Sequence, residues 1–565
     1  MGRPRIQRPR VTGTSRRGFF RASGSAAAAL AAATALPFSA PASHAAAPAD
    51  TRLFQHGVAS GDPLADRVIL WTRVTPRNPR TVLAVRYEVA TDPALRRIVV
   101  RGTVRTGAWR DHTVKVDAAG LQPGTTYYYR FHTEYASSPV GRTRTLPVGA
   151  TTRLRLAVVS CSNHAAGYFN AYRRLAVRAD LDAVLHLGDY LYEYGPDEYG
   201  SVRRPEPARE MVTLTDYRGR HAQYKRDADL QEAHRQHPFI CIWDDHEITN
   251  DAWRDGAQNH TEGAEGTWPE RVGAGLQAYY EWMPIRQPDA QRPRLSQRAF
   301  AFGDLVDLAM LEQRLQARSQ QLAATIPVPG LGSGFVQAGE FLDPQRTLLG
   351  DEQEAWLAAR LRASQARWKL IGQQVMFAHL KLQPAPLAAG GGVFVNPDQW
   401  DGYQPARDRL YAVLEGDIRH RAVDNCVVLT GDIHSSWASD LTRDPNNADA
   451  VGGGYDAASG EGSRAVEFVT TSISSPGLDD PDGSIAGYLR SVNPHIKYID
   501  FNRRGYMLLD VTPSRVVAEW WYVDTVASVS NVEVFGAAFE VGHGTNRVRP
   551  SGPTVPPLQS PDLAP

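Results

Sequence analysis

The chain has 565 residues and only three cysteines, Cys161, Cys241 and Cys426, an odd number spread widely along the sequence. That excludes a disulfide framework as the source of stability, since such scaffolds are dense in closely spaced pairs. One pair still allows a bridge, but all three lie in or at the end of apolar, strand-like runs, so at least one free thiol is expected. Long hydrophobic runs are missing too. The stretch Ala26 to Leu36 is too short and too alanine-rich to span a bilayer, and no later segment comes closer. No internal repeat is visible. A strong charge imbalance is also absent, with a formal net charge of +1. Residues 1–47 hold seven arginines and no acid, and setting those seven aside takes the +1 to −6. A mildly acidic body gives no electrostatic case for nucleic acid or anionic membrane as a standing partner.

What is present is the composition of a globular protein, 22% charged and 42% hydrophobic, in a chain too long for one ordinary core. Residues 1–47 read as an address rather than as structure. Ser15-Arg16-Arg17-Gly18-Phe19-Phe20 precedes the alanine-rich run, and Ser43-His44-Ala45-Ala46-Ala47 follows it with small residues suited to cleavage. Paired arginines before a bulky apolar pair resemble a twin-arginine export signal. The expectation is a secreted or extracytoplasmic protein, carried by the twin-arginine machinery already folded and without a membrane anchor once mature.

Residues 48–148 read as a small all-β module. Runs such as Arg67–Arg73 and Leu83–Val89 alternate in polarity between Pro, Asp, Asn and Gly turns. Leu121-Gln-Pro-Gly-Thr-Thr-Tyr127 resembles the tyrosine corner of fibronectin- and immunoglobulin-like sandwiches, with Tyr127 capping the turn and Tyr129 and Phe131 facing the core. The phrase Gln55 to Pro63 is odd for a plain strand and is expected to touch the second domain. That domain, residues 149–530, opens with a strand from Leu154 to Val159, a helix from Ala165 to Arg178 and a strand from Leu181 to Leu187. This is a βαβ unit, whose parallel strands end on one edge. The segment 190–235 is polar and reads as an insertion over the site, and 254–295 reads as long irregular stretches. A helix with acids in its first turn begins near Leu349. Val466 to Ser475, Tyr506 to Val511 and Val516 to Val523 are expected to close a second sheet. Residues 531–565 form a tail whose last fifteen residues, rich in Pro and Ser, are expected to be disordered.

Four apolar runs end in chemically active residues: Cys161-Ser-Asn163, Gly188-Asp-Tyr-Leu-Tyr192, Asp244-Asp-His-Glu247 and Gly431-Asp-Ile-His434. Taken singly each has a bland explanation. Tyr192 reads as a packed aromatic, Cys161 as a small buried hydrophobe, Asp244 or Asp245 as a helix N-cap, His434 as a core histidine. Four strand tips in agreement outweigh those readings. Thiolate and phenolate on one centre favour iron(III), while carboxylates and an amide oxygen favour calcium, magnesium or manganese beside it. Arg314 and Arg318 are left outside the site as surface arginines, and the turn Asp401-Gly402-Tyr403 is a candidate for its lining.

The tips resemble, in order, the motifs Asp-x-His, Gly-Asp-x-x-Tyr, Gly-Asn-His-Glu and Gly-His-x-His of the metallophosphoesterase superfamily. The departures here are Cys161 for the first Asp, Asn163 for its His, Asp245 for the Asn and Asp432 for a His. With the tyrosine Tyr192, typical of purple acid phosphatases, they resemble the pattern of PhoD-family alkaline phosphatases, and the resemblance covers nearly the whole chain. It implies an α/β fold, a two-sheet metallophosphoesterase sandwich flanked by helices and preceded by the all-β module. It implies Fe(III) on Cys161, Asp189, Tyr192 and His434, with one or two Ca(II), or Mg or Mn, on Asp189, Asp432 and one of Asp244, Asp245 and Asn250. Asp189 would bridge the ions, and His246 would protonate the leaving oxygen. The expected substrates are small phosphate mono- and diesters, with phospholipid or polymeric diesters as further candidates. A phospholipase D-like diesterase is the alternative, and a non-catalytic cell-surface binding protein a distant one.

Overall fold

The computed structural model describes residues 53–328, 332–450 and 452–565, so the export-signal expectation for residues 1–47 lies outside the described residues. Two large sheets, of ten and seven strands, form the body. Alternation along the strands explains how they pack. In the strand Leu154–Val159, Leu154, Leu156 and Val158 face a cluster shared with Phe300, Leu308, Leu370, Leu429 and Phe468 of the second sheet. Ala157 and Val159 point the other way, against Tyr172 and Leu175 of the helix Asn170–Ala176 and Leu276 of the helix Trp268–Trp282. On the far side, Leu357 and Leu361 of the helix Gly350–Ala363 and Leu410 and Leu414 of Gln404–Glu415 cover Ile371 and Val428. The layers run helix, sheet, sheet, helix, a mixed α/β architecture.

In the first sheet Leu154–Val159, Ala183–His186 and Pro238–Cys241 lie side by side and parallel. In the second, Val306–Met310, Trp368–Gln373, Cys426–Thr430 and Ala465–Val469 do the same. The late strands Gly505–Val511 and Arg515–Val523 do not close the second sheet, as the sequence suggested. They extend the first, Gly505–Val511 pairing antiparallel with Leu154–Val159. Met507, Leu509 and Val511 then face the second sheet, a burial that either sheet could offer, so pairing with Leu154–Val159 selects the placement. Another expectation fails at 254–295, where a fifteen-residue helix, Trp268–Trp282, begins with a Thr267–Glu270 capping box. Gly273 and Gly275 mask its helical pattern. Gly275 packs closely on Ile248, whose Cδ1 lies 2.4 Å from where a Cβ would stand.

The N-terminal module shares a sheet with the body. Val58–Gly61 pairs parallel with Pro238–Cys241, and Arg67–Arg73 and Thr113–Ala119 continue the ten-stranded sheet from there. The strands Leu83–Ala90, Ile98–Thr106, Thr126–His132 and Gly141–Arg144 form a second, four-stranded sheet. One cluster, including Val68, Leu70, Val114, Val89, Tyr129 and Phe131, fills the space between them. Tyr127 Oη accepts the Gln122 N–H at 2.8 Å. The odd phrase Gln55 to Pro63 is thus the joint, and Asp62 reinforces it with a buried ion pair to Arg298 at 2.9 Å.

The tail is a strap rather than a disordered end. Glu533–Gly542 and Val548–Ser551 add the last two strands of the first sheet. Beyond them Thr554 takes a hydrogen bond from Arg155 at 2.9 Å and gives its N–H to Glu519 at 2.8 Å. Farther on, Gln236 exchanges two hydrogen bonds with the backbone of Ala564, at 2.8 and 3.0 Å, and Tyr128 Oη donates to Asp562 O at 2.6 Å. Buried backbone and charged partners, not side-chain hydrophobicity, hold it, so composition alone misleads. A chain ending at Ser551 is expected to lose about 5 kcal/mol of stability, at about 1 kcal/mol for each of these five hydrogen bonds. Chemical denaturation checks this, and an unchanged midpoint would mean the strap is ornamental.

Candidate metal centre

The three parallel strands of the first sheet release the chain at one edge, and a parallel bridge from Ser160 to Ser472 joins that edge to the second sheet. The Cys161 N–H donates to Gly188 O at 3.1 Å and that of Ser162 to Asp189 O at 2.8 Å. Gly188 has φ +109°, and a Cβ there would sit 2.4 Å from Asp244 Cβ. Only glycine lets these two tips meet. Cys161, Asp189, Asp432 and His434 are all non-glycine residues at φ between 55° and 61°. Such backbone costs about 1–3 kcal/mol per residue and persists where surrounding structure enforces it, commonly at functional sites.

The tips converge. Cys161, Asp189 and His434 form one group of donor atoms within 4.8 Å of one another; Asp189, Asp245 and His246 form a second, and Asp244, Asp245 and Asp432 a third. All seven residues are buried. Tyr192 Oη donates to Asp189 Oδ2 at 2.8 Å and lies 3.1 Å from His434 Nε2. Burial, then the charges of Asp189 and Cys161, hold this phenol well above its ordinary pKa, so it needs a cation beside it to ionise. His434 Nδ1 donates to Pro476 O at 2.8 Å, which leaves the Nε2 lone pair facing Asp189 and Tyr192. Tyr190 points elsewhere, its hydroxyl 2.9 Å from His234 Nε2. Asp244 Oδ2 is buried with no hydrogen-bond donor among the described residues. A thiol, a phenol, an imidazole with its lone pair exposed and four buried carboxyls, one of them with an orphaned oxygen, fit a pair of cations.

Several neighbours escaped the sequence reading. Arg314 and Arg318 are not surface residues: both are completely buried. Arg314 contacts Asp244, lies 3.1 Å from Asp432, 2.9 Å from Asp398 and 3.8 Å from Asp245, and so acts as the internal counter-charge of the third group. Arg318 braces Asp398 at 2.6 Å, and Gln399 Nε2 donates to Asp432 Oδ2 at 2.7 Å. Glu193, next to Tyr192, holds His246 Nδ1 at 2.7 Å. Burial lowers the affinity of His246 for a proton, but the charges of Glu193, Asp245 and Asp189 outweigh it and raise the ring to about 10. A cation among these carboxyls would cancel part of that push.

Other candidates sit differently. Asn250 is buried, giving its amide to Gln258 at 3.0 Å and its N–H to Glu193 at 2.9 Å. Asn163 closes a turn, accepting the Ala165 N–H at 2.9 Å and donating to Tyr199 O at 2.7 Å. Tyr199, from the 190–235 segment, brings its hydroxyl to 3.2 Å from His434 Nδ1, so that segment does overlie the site. Asp401 is a structural knot instead, 2.6 Å from His379 and 2.8 Å from Arg407. Its neighbours Asp398 and Gln399 are the ones that reach the centre. Cys241 and Cys426 are free thiols buried in the strands, and Cys161 is also unbridged.

Comparison with known proteins is consistent with this geometry. The family model for PhoD-like phosphatases matches residues 156–520, and that for the N-terminal domain of the same family matches 39–147. Alkaline phosphatase D of Bacillus subtilis (strain 168) is 38% identical over 485 residues, 83% of this chain and 77% of that protein. A solved structure of PhoD is 35% identical, with a TM-score of 0.79, and covers 90% of this chain and 94% of that one. The class is therefore that of hydrolases acting on phosphoric esters. Within it, the chain belongs to the PhoD-like phosphatase family.

Because Arg314 alone serves several carboxyls, Arg314→Met is expected to destabilise the metal-free protein by about 3–5 kcal/mol, the usual cost of stripping the partner from a buried charge. Added divalent cation should recover part of that loss. Denaturation with and without cation tests this; equal losses in both would mean that the carboxyls do not receive the ion.

Proposed function

We propose that the protein is an exported, metal-dependent phosphomonoesterase and phosphodiesterase that releases phosphate from organic phosphoesters. The observation that carries this reading is the meeting of Cys161, Asp189, Tyr192 and His434 at one buried point, a donor set suited to Fe(III). Asp189 belongs to the second group as well, so it would serve both ions. Asp432, with Asp244 or Asp245, supplies hard oxygen donors for one or two calcium ions, with magnesium or manganese as alternatives. Asp244, Asp245 and Asn250 are the candidates for the remaining donor, and Asn250 gives only its amide N–H to Gln258. When bound, such cations lower the pKa of water toward neutrality and neutralise charge on a phosphoryl group.

The chain's own residues do the rest. Tyr192 Oη holds Asp189 Oδ2, and Ser475 Oγ, which donates to Tyr192 Oη at 2.8 Å, holds the phenol. Glu193 orients His246 as the proton donor to the departing oxygen. Burial of the whole set excludes bulk water and strengthens each of these interactions. The finer fold reading, a metallophosphoesterase sandwich with a fibronectin-like module, is supported by the two packed sheets, the four strand tips and the Tyr127 corner. Export by the twin-arginine route rests on Arg16-Arg17 and the run that follows. No helix among the described residues is long and apolar enough to cross a membrane.

Metal analysis of protein purified without chelators is expected to find iron and a second divalent metal. Cys161→Ala should lose iron and activity together, and a fully active, iron-free variant would refute the reading. Tyr192→Phe should abolish any visible iron–phenolate absorption while the fold is kept; colour that survives means another ligand gives rise to it. Turnover of p-nitrophenyl phosphate, its bis-ester and phosphatidylcholine by the same preparation separates a broad phosphatase from a phospholipase D-like diesterase.

A further inference from the structure

The motif Asp244-Asp-His-Glu247 ends in a residue that neither the donor groups nor the proton donor explains. Glu247 is buried on the inner side of the tips. Its carboxyl group accepts three backbone N–H groups, Oε2 from Asp189 at 3.1 Å and Asp244 at 2.9 Å, Oε1 from Tyr190 at 2.6 Å. These N–H groups lie just past the ends of the strands Ala183–His186 and Pro238–Cys241, where the ladder no longer supplies partners. Two of the three belong to candidate metal ligands. Asp189 is at φ 55°, a conformation that requires outside support, and Gly188 brings Asp244 into direct contact with the same turn.

We infer that Glu247 is a positioning residue for the metal centre: it clamps the backbone of Asp189 and Asp244 so that both present their carboxyls to the ions. Its oxygens are committed to the backbone, so it acts through the ligands rather than as one of them. The inference rests on the metal-centre reading above. The same geometry suits a carboxyl group whose two oxygens both accept. An amide of the same shape would turn one acceptor oxygen into a donor facing an N–H, and loss of an outer partner of this type commonly costs about 10–100-fold in metal affinity.

The test is Glu247→Gln, which keeps the volume. In folded full-length protein, titration against a competing chelator should show iron or the divalent ion held about 10–100-fold more weakly than in the wild type. Unchanged metal affinity overturns the inference. So does a lowered melting temperature of the metal-free protein with unchanged affinity, because that marks a purely structural role. If the variant does not fold, amide exchange in the metal-stripped wild type replaces it. The N–H groups of Asp189, Tyr190 and Asp244 should be protected, and exchange as fast as in an exposed loop overturns the clamp. A wild-type protein that holds no metal would instead sink the reading of the site beneath it.

Discussion

Mutual repulsion among buried carboxyls is the constraint around which this molecule is arranged. Asp189, Asp244, Asp245 and Asp432 come together where solvent is excluded, with Asp398 beyond them. Two like charges 4 Å apart repel by about 4 kcal/mol even at an effective dielectric of 20. Arg314 brings one positive charge to several of these acids, Arg318 a second to Asp398, and His246 a third that Glu193 largely claims. Burial, together with the charges of Asp245, Asp432 and Asp189 and against that of Arg314, holds the Asp244 acid well above its ordinary pKa, which eases part of the repulsion. The cluster is held together by backbone in unfavourable conformations, which a chain retains only when the rest of the fold enforces them.

The enforcement comes from several directions. Parallel strands of two sheets end at one edge, and glycine at position 188 removes the side chain that would keep two of the tips apart. The N-terminal sandwich continues the first sheet through Val58–Gly61, so it buttresses the strand that carries Asp244 to His246. On the opposite end of the sheet, the C-terminal strap fastens Arg155 at the base of the strand that leads to Cys161. Elements remote from the chemistry thus bear on its geometry by way of strands they share with it.

The donors divide by character. Sulfur, phenol and imidazole gather on the Cys161 side, and oxygen-only donors on the Asp432 side, with Asp189 between. Two chemically different cations suit that division better than two alike. His246, with the Glu193 carboxyl at its Nδ1, then borders the oxygen side. The arrangement matches the needs of phosphoester hydrolysis, in which charge develops on a phosphoryl group and a proton must reach the departing oxygen.

The sequence by itself determined the strands, the tips and their residue types. Buried parallel strands read as apolar runs, and a glycine–aspartate pair ends such a run abruptly, so Asp189 and Asp432 were legible from local pattern. Tyr127, Tyr129 and Phe131 were legible from the corner motif that begins at Leu121 and the alternation that follows it. Tertiary structure alone decided which sheet took Gly505–Val511, because either sheet offers an apolar face and only pairing with Leu154–Val159 chooses. It also decided that Arg314 and Arg318 lie in the centre, since an arginine's burial depends on carboxyls 70 or more residues away that no local pattern reveals. The strap was invisible for a related reason: hydrogen bonds to distant backbone and charged groups hold it, and a proline-rich composition says nothing about them. Local order follows from neighbours in the chain, and what gathers at the centre follows from partners that only folding brings within reach.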